Sequence, residues 1–232
     1  MGLLAQACAG QTLEPIRYTV SIPQPQTHYV EVEATVPSAG QPAVDLKMAI
    51  WTPYVIREFA KNVEAVSAQG GLQIEKYAKN RWRIQTAGAN SVTVKYRVYS
   101  HEMSVQDNWV DRDFALLNGA ATFLTLVESV SRSHEVRLVL PHGWKISVSG
   151  MPAASPAPHH YRAADYEALV DSPIVAGNPA IYEFTVDGKA HLLVNVGEGG
   201  LWDGLRSARD LERIVREYSR MWGGLPLTDM CS

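Results

Sequence analysis

Cysteine is almost missing from this chain: two in 232 residues, Cys8 and Cys231, near opposite ends. A bridge between them requires the termini to meet, and neither has the spacing of a metal or redox motif. Long apolar runs are missing too, since nothing approaches the about 20 residues of a membrane-spanning helix. So is a surplus of one charge. The formal net charge of −3 favours neither nucleic acid nor an anionic membrane as partner. No internal repeat is visible, and no glycine loop carries the basic residue that closes a phosphate cradle. Gly197-Glu198-Gly199-Gly200 comes nearest, but Glu198 repels a phosphate.

What is present is ordinary for a globular protein: 46% apolar and 19% charged residues, enough for one large or two modest domains. Met1 to Thr12 admits two readings. One is the tail of a secretory leader with Ala7-Cys8-Ala9 as cleavage site, which implies export to the periplasm. The other is a flexible N-terminus or cloning remnant, because a basic n-region is lacking and the apolar core is short.

From Glu14 onward the pattern is mainly β. Ile16, Tyr18, Val20 and Ile22 alternate with polar residues, as do Val30, Val32 and Ala34, then Val92, Val94, Tyr96 and Val98. Arg57 to Gln69 is ambiguous between helix and strand. Lys79-Asn80 and Gly88-Ala89-Asn90 punctuate hairpins, and Glu135–Leu140 with Trp144–Val148 predicts another around Pro141-His142-Gly143. This density of short strands predicts an antiparallel β-sandwich over 14–150. The proline-rich stretch inside 151–165 predicts a linker. A small α/β unit is expected over 166–232: a hairpin turning at Asp187-Gly188, then a helix from Ala208 to Trp222 with Ser207 and Asp210 at capping-box spacing and Gly223 as its stop.

The candidate chemistry concentrates in the loop after Tyr99. Asp107, Asn108, Trp109, Asp111 and Asp113 form a possible substrate- or partner-facing group. The three acids lack the glycine and terminal glutamate of a calcium loop, so turn formation is the expected role. His101-Glu102 begins like a zinc-peptidase motif, but Val105 stands where the second histidine must be. His159-His160 lies in the expected linker, which offers a metal no preorganisation. Ser147-Val148-Ser149-Gly150 lacks the flanking glycines of a nucleophile elbow. Arg206, Arg209, Arg213, Arg216 and Arg220 line one side of the last helix, yet Asp210, Glu212 and Glu217 are spaced to pair with them, which describes a solvated face. These residues yield no catalytic group, no metal ligand set and no cofactor.

The stretches Ile16-Arg17-Tyr18-Thr19-Val20, Ile50-Trp51-Thr52-Pro53 with Tyr54 to Val63, Tyr96 to Leu124, and Tyr166-Glu167-Ala168-Leu169-Val170-Asp171-Ser172-Pro173-Ile174 resemble the glycyl aminopeptidase family of gluzincin metallopeptidases. The resemblance covers about Glu14 to Asp229. It implies a β-rich N-terminal domain followed by a thermolysin-like domain with His-Glu-x-x-His, a third zinc ligand and a glycine-rich substrate motif. No position here matches those ligands, and the Gly-Ser expected between Pro53 and Tyr54 is lacking.

Three expectations result. The first is a truncated, zinc-free portion of such an enzyme, structural or substrate-facing, that meets peptide substrate only in a full-length context. The second is a stand-alone hydrolase of esterase or lactonase type, using Ser149, His142 and an acid such as Asp107. The third is a binding module with Trp109 and its acidic neighbours as the contact surface. The apolar face of the helix Ala208–Trp222 further predicts a homodimer.

Overall fold

A computed structural model of the chain describes residues 13–52, 55–128, 130–197 and 200–225. The leader reading, both cysteines, the Pro53-Tyr54 junction and Glu198-Gly199 lie outside the described residues. The chain enters as β1 (Ile16–Ser21), β2 (Tyr29–Pro37) and β3 (Ala43–Lys47), then a two-residue pair, β4 (Trp51–Thr52) with β5 (Val55–Ile56). β6 (Val63–Ala68), β7 (Ile74–Ala78), β8 (Arg81–Gln85) and β9 (Ser91–Tyr99) follow. Beyond the loop come β10 (Trp109–Val110), β11 (Phe114–Leu117), one helical turn α1 (Gly119–Thr122) and β12 (Thr125–Leu126). β13 (His134–Val139), β14 (Ile146–Ser149) and β15 (His160–Ala163) lead to α2 (Tyr166–Val170) and β16 (Ile174–Gly177). The hairpin β17 (Ala180–Val186) with β18 (Lys189–Asn195) and the long α3 (Gly204–Trp222) complete the order.

The fold is mainly β with several antiparallel sheets. A six-stranded sheet runs β15-β13-β1-β2-β9-β6, and a four-stranded sheet runs β12-β3-β8-β7. The period-two alternation of β1, β2 and β9 puts Tyr18, Val32 and Val94 on one face, where they share a core with Leu46, Trp82 and Ile84 of the second sheet. Burial of each such side chain stabilises by about 1.5–3 kcal/mol. A third sheet, β10-β11-β16-β14, carries Leu117, Ile174 and Ala176 into the same core.

The ambiguous Arg57–Gln69 segment resolves into a short 3-10 turn and β6. Its alternation is broken by a bulge between Glu64 and Ser67, where Ala65 has φ 52°, so the strand carries no clean period. Three further expectations are corrected. β13 and β14 do not form a hairpin, because β13 pairs in parallel with β1 while β14 joins β16 in the third sheet. The expected linker is woven into the structure: Met151 is buried, and β15 pairs antiparallel with β13 as the edge strand of the large sheet. Leu169, Ile174 and Ala176, expected in the second unit, pack in the first core instead.

The second unit is β17, β18 and α3. Asp187 and Gly188, at φ 52° and 76°, make the two-residue hairpin turn that Asp-Gly predicts. α3 starts four residues earlier than expected. Asp203, rather than Ser207, caps it by accepting a 2.9 Å hydrogen bond from the Arg206 amide, and Gly223 ends it in the left-handed conformation. A Cβ on Gly204 would lie 2.2 Å from the Tyr182 ring, so a larger residue there would displace that ring.

Candidate functional site

The loop between β9 and β11 is built from the inside out. His101 and Trp109 form an isolated bridge, and the Glu102 amide donates to the Asn108 carbonyl at 3.0 Å, so the segment folds back on itself. Asp107 and Asn108 are buried. Asn108 Oδ1 accepts from the Asn118 amide at 2.7 Å, and its Nδ2 donates to Thr122 Oγ1 at 3.0 Å. Asn118 Nδ2 donates back to the Asp107 carbonyl, and Thr122 Oγ1 donates to the Asn118 carbonyl at 2.7 Å. These groups tie the loop to α1. α1 in turn meets α2, and a Cβ on Gly119 would sit 2.2 Å from the Leu169 carbonyl oxygen. Two of the stretches that carried the family resemblance, Tyr96–Leu124 and Tyr166–Ile174, are therefore joined in space, also through the pairing of β11 with β16.

Each acid has a definite place. Asp107 Oδ2 accepts from Ser104 Oγ at 2.9 Å. Asp111 accepts from the Asp113 amide at 2.8 Å, the Phe114 amide at 3.0 Å and Trp109 Nε1 at 2.9 Å. Partial burial pushes the Asp111 carboxyl up, but these donors outweigh it and hold it below the usual carboxylate range. Asp113 is exposed, and its carboxylate makes no hydrogen bond among the described residues. Trp109 is half-buried, with its ring stacked on His101 at 4.5 Å and 22°. His101 lies against His28, whose ring centroid is 3.7 Å away. Residues 103–106 form the tip, where Met103 and Val105 are exposed and Arg57 Nε donates to Gln106 Oε1 at 2.9 Å.

The arrangement does not fit a zinc centre. His101 is a stacking partner at a strand end, and no cluster of three His, Cys, Asp or Glu side chains is placed to hold a metal among the described residues. Nor does the structure bring Ser149, His142 and Asp107 together. Ser149 ends β14 and Asp107 precedes β10, at opposite edges of the third sheet, about 14 Å apart at three strand spacings. Ser149 Oγ instead accepts from the Met151 amide at 3.3 Å.

Two serines do meet a histidine: Ser155 Oγ lies 2.8 Å from His160 Nδ1, and the other is Ser147. Its Oγ lies 2.8 Å from His159 Nδ1 and 2.6 Å from the Tyr161 hydroxyl, with His159 at φ 58°. Sequence reading missed this trio because its members approach only when β14 and β15 are folded. No carboxylate orients His159 among the described residues, so the trio fastens the third sheet to the first. The Glu128–Arg132 ion pair, at 2.7 Å, stands between two open clefts of about 440 and 280 Å³, both away from the Trp109 loop. Deep in the core beside the second cleft, His134 Nε2 contacts Thr125 Oγ1 at 3.0 Å. Burial pushes this imidazole down to about 4.

The helix arginines behave as a solvated face. Arg216 pairs with Glu212 at 2.6 Å, Arg220 with Glu217 at 2.7 Å, and Arg206 and Arg213 both approach Asp210. No helix among the described residues is long and apolar enough to cross a membrane.

Comparison with curated protein sequences returns no match. Among solved structures, the chain is similar to an aminopeptidase N family protein from Idiomarina loihiensis, with a TM-score of 0.80 and 28% identity, over 91% of this chain and 37% of that one. It also aligns with an M1 zinc metallopeptidase from Deinococcus radiodurans at 9% identity and a TM-score of 0.49, over 93% of this chain and 54% of that one. The chain thus spans little more than a third of the length of the first structure and about half of the second. The family profile described as the Peptidase M61 N-terminal domain matches residues 17–178, the span from β1 through β16, and the chain belongs to that family.

Proposed function

We propose that this chain serves as the non-catalytic, substrate- or partner-facing N-terminal part of an M61-type metallopeptidase and does not hydrolyse peptides by itself. The observation that carries this reading is the engagement of the polar groups between residues 100 and 122. Asn108, Asn118, Thr122 and Asp111 hold their own loop against α1 and β11, which leaves no activated nucleophile or general base among them. Among the described residues no three His, Cys, Asp or Glu side chains are grouped to hold a metal, and the proposed role needs no hydrolytic step at this surface. The similarity to the aminopeptidase N family protein from Idiomarina loihiensis supports a peptidase context for the surface rather than an activity of these residues.

Within that reading the 101–113 loop is the contact element. Its base is fixed by buried hydrogen bonds, while Val105, Met103 and the Asp113 carboxylate face solvent. A rigid base under exposed apolar and acidic groups is what a recognition loop needs. Hydrolysis of amino-acid anilides by the purified chain, with and without chelator, tests the proposal. Turnover is expected to stay at the rate of buffer alone. Chelator-sensitive turnover that follows the chain through successive columns overturns it.

A further inference from the structure

Asn118-Gly119 is the one Asn-Gly pair in the chain, and packing constrains both residues. Gly119 opens α1 where α2 lies against it. A Cβ there would meet the Leu169 carbonyl oxygen and would lie 2.8 Å from the Val170 Cα, both backbone atoms. Asn118 is buried and anchors the base of the 101–113 loop: its Nδ2 donates to the Asp107 carbonyl and its amide to Asn108 Oδ1 at 2.7 Å. Its own carbonyl accepts from the Ala121 amide at 3.1 Å and from Thr122 Oγ1 at 2.7 Å. The same pair is chemically labile. With no side chain on residue 119, its amide nitrogen is unshielded and can close on Asn118 Cγ to form a cyclic succinimide. The nitrogen gives its proton to hydroxide and bonds to Cγ, while the Cγ–Nδ2 bond breaks and releases ammonia. Water then opens the ring at one carbonyl or the other, leaving aspartate or isoaspartate.

The folded geometry blocks that reaction. Asn118 has φ −91° and ψ 132°, which turns the Gly119 nitrogen away from Cγ. Rotating ψ to bring the nitrogen round swings the Asn118 carbonyl off both of its donors. We propose that Asn118 is a gated deamidation site whose reaction permanently unfastens the 101–113 loop from α1. The gate is local opening of the Asn108–Asn118–Thr122 network, not unfolding of the core. In the aspartate product a carboxylate oxygen takes the place of Nδ2 and faces the Asp107 carbonyl, acceptor against acceptor with no proton between them. In the isoaspartate product the main chain runs through the side-chain methylene, and the added atom displaces Gly119 from its close fit under Leu169. This release follows from how the loop is anchored and does not depend on what the loop contacts.

Incubation in mildly alkaline buffer, with residue 118 followed by peptide mapping and mass spectrometry, tests the gate. Conversion in the folded chain is expected to run at least about tenfold slower than in urea. Asn108→Ala removes the acceptor of the Asn118 amide. It is expected to speed conversion in native buffer about tenfold, with amide exchange in β1 and β9 at the parent's rate. Asn118→Asp, the product itself, is expected to keep exchange in β1 and β9 slow while exchange and proteolytic nicking rise across 101–113. Equal conversion rates in the folded and urea-unfolded chains overturn the proposal. So does an Asn108→Ala chain that converts no faster than the parent, or faster only in step with β1 and β9. An Asn118→Asp chain whose loop stays as protected as the parent's, or whose core loses protection along with the loop, overturns it too.

Discussion

Residues 16–177 and residues 180–225 bury their apolar side chains to very different degrees. In the first region three sheets and two short helices enclose one continuous core, in which Ile16, Leu46, Ile84 and Leu117 have no measurable exposure. In the second, a two-stranded hairpin under a single helix buries just three apolar side chains among the described residues, Phe184, Val186 and Ala208. The hydrogen bonding of the second unit is nevertheless sound: the hairpin is in register over its full length and the helix is capped at both ends. Local rules are thus satisfied equally in both regions. What separates them is the number of layers, since one helix on two strands cannot surround either partner.

The largest effect that sharpens this comparison is expected from Phe123→Ala. Phe123 is fully buried beside Tyr18, with ring centroids 4.7 Å apart, so its truncation should cost about 3–5 kcal/mol in chemical denaturation. Amide exchange should place that loss across β1, β2 and β9 and leave α3 unaffected. Equal acceleration of exchange in α3 would mean that the two regions unfold as one.

Acid should separate them next. The folded pKa of His134, about 4, lies below the ordinary value of 6.5, so the unfolded chain binds the proton first as pH falls. The stability this neutral imidazole contributes is present above pH 6.5 and is lost as pH drops toward 4, by up to about 3 kcal/mol. His134→Gln should flatten the pH dependence of the first region in that window. The second region, measured by exchange in α3, should show no matching step.

Trp109→Ala is expected to cost about 1–2 kcal/mol, less than a buried aromatic, since the ring is half-buried, stacks on His101 and donates one hydrogen bond to Asp111. A melting temperature equal to the parent's would make Trp109 a pure contact residue, and a loss of about 4 kcal/mol would make it a core plug. The smallest effect is Asp203→Ala, about 1 kcal/mol from the lost cap. It should appear as faster exchange in the first turn of α3, with β1 and β9 unchanged.

The parts legible in the sequence are those whose cause is local. The alternation of Val92 to Val98, the Asp187-Gly188 turn and Gly223 after the last helix each encode their structure within a few residues. The misread parts depend on partners far along the chain. Nothing in Glu135–Val139 reveals that β1 lies beside it, so proximity to Ile146 suggested a hairpin instead. Pro152, Pro156 and Pro158 suggested a linker, yet prolines are tolerated just before an edge strand, and β15 is one. At the candidate site the acids were visible as turn formers, and Asp111 bears this out with two backbone amides on one carboxylate oxygen. The burial of Asn108 was not visible, because its partners Asn118 and Thr122 come from the next element. The Ser147–His159–Tyr161 contact required the positions of two sheets at once.

The parallel pairing of Ile16–Ser21 with His134–Val139 has a consequence for how the molecule is made. During synthesis the first strand can zip onto β2 as soon as both leave the ribosome, but its other edge stays open until the chain has grown past Val139. Such an edge is a template for foreign strands. The large sheet then gains its outermost member only when residue 163 has emerged. Closure of loops this long makes folding slow and exposes the nascent domain to chaperones and to aggregation in proportion to that delay. Translation speed across the segment from β9 to β15 therefore sets how long the half-built sheet waits with its centre unpaired.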